Sequence, residues 1–173
     1  MKALTTLLFF IGISTVAFSQ TLTGEMVKDW ERAKAYTLEY LEAMPADKYD
    51  LKPTPEMRSF AQQMLHLNDA NYGFVATATG ASMPEGAGGS EKSEDQSKET
   101  VIKLVSDGYD FVIESIKKLP AGQFNEQIQL FGRFDMSRMK AIEKAFEHQT
   151  HHRGQTTVYL RLGGVTPPQE KLF

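Results

Sequence analysis

Apolar and polar positions along the chain fall into stretches of helical period separated by proline, by glycine and by one long stretch with no period. From Gly24 onward, Met26, Trp30, Ala33, Thr37, Leu41 and Met44 recur at steps of three and four, with Val27, Leu38 and Tyr40 widening the stripe. Lys28, Asp29, Glu31, Arg32, Lys34 and Glu39 fall mostly on the other side, the pattern of an amphipathic helix. Pro45 ends it, and Pro53 and Pro55 hold the next connector extended. Thr54-Pro55-Glu56-Met57 has the form of an N-cap followed by proline at the first helical position. It predicts a second helix from about Pro55 to Phe74, with Met57, Phe60, Met64, Leu67 and Phe74 as its stripe. A third stripe, Val101, Val105, Gly108, Val112, Ile116 and Leu119, stops at Pro120. A fourth helix, capped by Asp135 or Ser137, carries Met139, Ile142 and Phe146 and runs to about Leu162, where Gly163-Gly164 and Pro167-Pro168 terminate it.

Two stretches lack this period. Residues 76–97 are rich in Gly, Ser, Ala and Glu and predict a long mobile loop, either an active-site lid or a disordered connector. Residues 121–134, with Phe124, Ile128, Leu130, Phe131 and Phe134 around Gly132, read as irregular, a loop capping the bundle end or short extended pieces. Four amphipathic helices around one core predict an all-α fold, an up-down-up-down four-helix bundle with a long middle connection.

Composition changes this picture mainly at the N-terminus. Within an ordinary globular make-up of 173 residues, 24% charged and 41% hydrophobic, Met1-Lys2 is a short basic start and Ala3 to Phe18 an uncharged, mostly apolar run. Ala17-Phe18-Ser19 supplies small residues for cleavage before Gln20, so residues 1–19 predict a signal peptide and residues 20–173 the exported domain, periplasmic or secreted. The run is shorter than the roughly 20 residues that span a bilayer and is broken by Gly12, Ser14 and Thr15, so no membrane anchor is expected after cleavage. A net charge of −3 without a Lys/Arg cluster gives no electrostatic footprint for nucleic acid. With no cysteine there is no disulfide framework and no thiol nucleophile.

The candidate chemistry is histidine. Of four histidines, three lie in Glu147-His148-Gln149-Thr150-His151-His152-Arg153-Gly154-Gln155. His148 and His152, four apart on a helix, project from one face and can close on a single ion; Ala141, Ala145, Gln155 and Tyr159 share that face. His66 falls at the edge of the second helix's stripe beside Ser59, Ala70 and Gly73, small neighbours that leave room for an ion and a substrate. A lone histidine there is otherwise a half-exposed residue bonded to water. Three neutral imidazoles would leave an ion's charge intact and a coordination position open, the arrangement that acidifies a metal-bound water. Asp69 and Glu147 are the nearest carboxylates, each a candidate general base or a partner holding a ligand ring. Gln155 and Tyr159, one and two turns beyond His152, either line the open side or pack. Arg153 falls on the bulky stripe and predicts a buried arginine paired to a carboxylate on a neighbouring helix.

The order His66, a long gap, His148-xxx-His152 running into Arg153-Gly154-Gln155, then Leu160-Arg161-Leu162-Gly163 and Pro167, resembles the DinB/YfiT-like superfamily, over essentially the whole chain from Trp30 to Pro168. The resemblance implies a four-helix bundle, often a homodimer. It also implies a divalent metal held by His66, His148 and His152, with His151 at a non-ligand position. Zinc or nickel is the implied ion, and imidazole ligands also suit iron or copper. The family is described as metal-dependent hydrolases, with some thiol transferases. Two readings follow: an exported hydrolase acting on an unidentified small molecule, or a non-catalytic metal or small-ligand binding protein. Export away from the cytosolic thiol pool weighs against a transferase.

Overall fold

The computed structural model describes residues 2–173, with side chains from Leu22 onward, so the predicted signal peptide lies outside the residues whose side chains are described. Four helices, α1 (Lys2–Ala43), α2 (Phe60–Thr79), α3 (Lys98–Lys118) and α4 (Arg138–Leu162), surround one core. Its largest fully buried side chains include Trp30, Leu41, Phe60, Tyr109 and Leu160. The Trp30 ring meets Phe146 edge-on at 5.2 Å and Tyr109 at 5.9 Å, tying α1 to α4 and α3. Among the described residues no helix is long and apolar enough to cross a membrane.

The all-α four-helix bundle is present as expected, with a difference in running direction. Trp30 meets Phe146, Arg153 reaches the Ala33 carbonyl and Tyr40 bonds Thr157, so α1 and α4 run parallel. Lys34 pairs with Asp110, and Lys98 reaches the Met44 carbonyl, so α1 and α3 run antiparallel. Arg138 bonds the Ala78 carbonyl and Tyr159 the Arg58 carbonyl, setting α2 antiparallel to α4. The order is therefore up, down, down, up. Parallel α2 and α3 start at the same end of the bundle, and the chain between Thr79 and Lys98 must travel back along the helices before α3 begins. Where α2 and α3 meet, a Cβ added to Gly108 would lie 1.8 Å from Asn68 Oδ1, so glycine is what lets the two helices approach.

α2 begins later than Thr54-Pro55 predicts and ends later than Phe74. Ser59 Oγ accepts from Gln62 N at 3.1 Å while Gln62 Oε1 accepts from Ser59 N at 3.0 Å, a reciprocal cap that outcompetes the proline signal. At the other end Val75 and Ala78 are fully buried, and the helix stops only at Gly80, whose φ of 77° lets its N–H return to the Ala76 carbonyl at 2.8 Å. The stretch after it is not a free loop. Its Ser90–Lys92 turn docks on α2 through Asp69, which accepts from Ser90 N and Glu91 N, each at 2.9 Å, and from Ser90 Oγ at 2.6 Å.

A hairpin forms from β1 (Gln127–Leu130), inside the span read as irregular, and β2 (Phe134–Ser137), which runs from its end to the α4 cap, paired antiparallel with Leu130 opposite Phe134. Its tip needs two left-handed residues, Phe131 at φ 54° and Gly132 at φ 65°. For phenylalanine that costs on the order of 1–2 kcal/mol. Its ring meets Phe74 edge-on at 4.9 Å. Arg153 is buried as expected, but its partners are neutral. Nη1 donates to Gln149 Oε1 at 2.9 Å and more weakly to Thr37 Oγ1 and the Ala33 carbonyl, and the guanidinium lies 4.6 Å over the Tyr36 ring. The α1 face opposite it offers Ala33, Tyr36 and Thr37, none of them acidic.

Candidate metal centre

Antiparallel packing of α2 against α4 sets His66 opposite His148 and His152. Ring centroids lie 5.4 Å apart for His66 and His148, 4.6 Å for His66 and His152, and 4.3 Å for His148 and His152. One nitrogen from each falls within 4.8 Å of the others, close enough for a single ion. Burial, followed by the neighbouring positive charges a protonated cluster would carry, pushes His148 down from 6.5 to about 4 and His152 to about 3. Both are therefore neutral at physiological pH, the state in which imidazole offers a lone pair.

Each ring is met differently from outside. His66 Nδ1 donates to Glu91 Oε2 at 2.9 Å. A carboxylate only accepts, so the proton sits on Nδ1 and the lone pair of Nε2 is left free. Burial pushes the Glu91 carboxyl up, but hydrogen bonds from Arg58 and His66 outweigh it and hold the group below its ordinary range. Arg58 Nε donates to Glu91 Oε1 at 2.6 Å, and the Arg58 carbonyl accepts from Tyr159 Oη at 2.9 Å.

His152 Nδ1 lies 2.9 Å from the Gln63 amide, which also bonds Gln155, whose own amide reaches His151 Nε2 at 2.8 Å. This chain of amides can run in either direction, since amide nitrogen and oxygen exchange by a half-turn. Run from His151 and His152 toward the glutamines, Gln63 Oε1 accepts from His152 Nδ1–H and leaves Nε2 for an ion. His148 Nδ1 is buried with no hydrogen-bond partner. Such a nitrogen, beside two other imidazoles, fits a metal-ligating role.

The three expected ligands are thus brought together, and exposed His151 stays outside the group. Among the described residues Asp69 and Tyr159 make no hydrogen bond to the three histidine rings; both act on the support of Glu91, one through its backbone and the other through Arg58. Gln155 is linked to His152 only through Gln63. Glu147 points to solvent and pairs with Lys144 at 2.6 Å. Sequence reasoning missed Glu91, Arg58 and Gln63. Gln63 had a signal, since it lies three residues before His66 on the same helical face; Glu91 and Arg58, both outside the helices, had none.

The DinB family model matches residues 18–172. No curated protein matches the chain. A DinB-like protein of Bacillus cereus ATCC 10987, known from a crystal structure, superposes with a TM-score of 0.74 at 18% identity, covering 84% of this chain and 95% of its own. A DinB-like protein of Bacillus subtilis superposes with a TM-score of 0.66 at 19% identity, covering 86% and 96%. At such identities the likeness is one of fold.

Proposed function

The chain belongs to the DinB family, and from that premise we propose that it is an exported metal-dependent hydrolase of a small molecule, with zinc or nickel held by His66, His148 and His152. The observation that carries this reading is the convergence of three imidazole nitrogens within 4.8 Å with no fourth protein ligand in the group among the described residues. A structural site would be closed by a fourth side chain; an open position is the mark of a site that works on something else.

A divalent ion there would supply Lewis acidity, polarising a substrate oxygen and acidifying a water. The protein's part is to hold three lone pairs on one point. Glu91 fixes the tautomer and ring orientation of His66, and Arg58 keeps Glu91 ionised and in place. Gln63 orients His152. The rival reading, capture of metal without turnover, has one observation on its side: Asp69 and Glu91 are both engaged in holding the site rather than free to take a proton. Elemental analysis of the purified protein, then turnover of ester, amide and phosphate substrates with and without chelator, separates the two. Hydrolysis lost on chelation and restored by zinc or nickel supports the enzyme. Bound metal without turnover of any class supports capture.

A further inference from the structure

On the His148 side of the cluster, the hairpin and the helices beneath it form an open cleft of about 470 Å³, the size that accepts a small organic molecule. Phe74, Leu130, Phe131, Phe134 and Met136 line it, and His148 forms part of its wall. Phe131 is held at φ 54°, a conformation asparagine or glycine adopts more readily, and 52% of it stays exposed. Its ring meets Phe74 edge-on, and Phe74 in turn lies 5.6 Å from the His148 ring, so aromatic faces lead from the hairpin tip to the cluster. Opposite Phe131 stands Gly73, where an added Cβ would touch the ring at 3.5 Å. At the rim Lys144 and Glu147 neutralise each other, and His151, which also lines it, is tied to the Gln155 amide.

We propose that this cleft is the substrate subsite, taking an uncharged apolar arm, an aryl group foremost, of a molecule whose polar head reaches the ion at the three histidines. This rests on the metal reading above. A charged arm would lose its hydration against an apolar lining with no free countercharge, whereas a flat ring stacks on Phe74 and Phe131.

Three probes separate the pocket from the ion. Benzyl alcohol, followed through the Met136 methyl NMR signal of metal-free protein, reports the pocket alone. Acetohydroxamate binding to zinc-loaded protein reports the ion alone, and benzohydroxamate reports both. Saturable movement of the Met136 signal is expected, with benzohydroxamate binding at least about tenfold more tightly than acetohydroxamate, a modest return for burying a phenyl ring. Phe131→Asn tolerates the left-handed backbone and should keep the fold and acetohydroxamate affinity while removing most of that tenfold advantage. Absence of a saturable Met136 shift, or equal affinity for the two hydroxamates, overturns the subsite. Failure of acetohydroxamate to bind overturns the metal reading instead. A concentration-dependent dimer dispersed by Phe131→Asn would assign the cleft to a second copy of the chain and overturn the proposal.

Discussion

Two polar clusters hang from α4 at adjacent residues and are built on opposite principles. Arg153 faces α1, where Gln149 Oε1 accepts from both Arg153 and Tyr109 Oη, and Thr37 Oγ1 bonds Tyr109 at 2.8 Å. His152 faces α2, in a group where His148 Nδ1 has no partner and two rings are kept neutral by burial. The first cluster is joined by hydrogen bonds among its own members and ties α1, α3 and α4 together. The second is propped from behind by Glu91 and Gln63 and left open in front. A satisfied buried network specifies structure, and one satisfied only from outside is prepared for a ligand.

The largest test of that contrast removes the open cluster. The triple variant His66→Ala, His148→Ala, His152→Ala should fall from about one divalent ion per chain to none, measured by elemental analysis, while His151→Ala keeps its ion. Circular dichroism of the chelated wild type should still be helical, because a bundle of this size buries its own core; unfolding on chelation would make the cluster structural after all. Breaking the closed cluster should do the reverse. Arg153→Ala is expected to lower unfolding stability by about 2–4 kcal/mol, since it leaves a cavity and unpaired acceptors in the core, with zinc affinity little changed. Equal loss of both properties would erase the distinction.

A finer cut goes through the props. Glu91→Ala should weaken metal binding by about 10–100-fold by releasing the tautomer and orientation of His66, with the metal-free melting temperature nearly unmoved; isothermal titration beside thermal melts would show it. The smallest effect is that of pH on the metal-free protein. Unfolded histidine takes up a proton near 6.5, whereas folded His148 and His152 resist until about 4 and about 3. Between those values the unfolded chain binds more protons, so their contribution is fully present above about pH 6.5 and is lost as pH falls through about 4 and 3. A melting temperature independent of pH from 7 to 4 in the wild type, or a dependence surviving in the triple alanine variant, would remove the histidines as its source.

Much of this was legible in the sequence where a single residue type carried the signal. Proline ends α1 and α3, and glycine ends α4, so those boundaries followed from backbone chemistry alone. The start of α2 did not, because Thr54-Pro55 and Ser59-Phe60-Ala61-Gln62 both carry capping chemistry, and only the anchoring of Phe60 N and Ala61 N to the Leu51 and Tyr49 carbonyls shows which prevails. The histidine pair on α4 was legible because an i, i+4 pair is a local pattern. Running direction was not, since a stripe at helical period looks the same whichever way its helix points. That one unreadable fact also hid Glu91: it reaches His66 because parallel α2 and α3 send the chain back along α2.

The grip of Asp69 on the Ser90–Lys92 turn has a practical consequence for anyone wishing to splice foreign sequence into this protein. From Gly80 to Gly89 most residues are exposed, and the turn that carries Glu91 is fastened downstream by its own backbone. A reporter peptide placed between Gly86 and Gly88 would lengthen a loop whose closure becomes less favourable by only about 0.6 kcal/mol per doubling. The fastening at Asp69 lies past the insertion, so the cargo would ride outside the histidine cluster while the prop behind His66 kept its position.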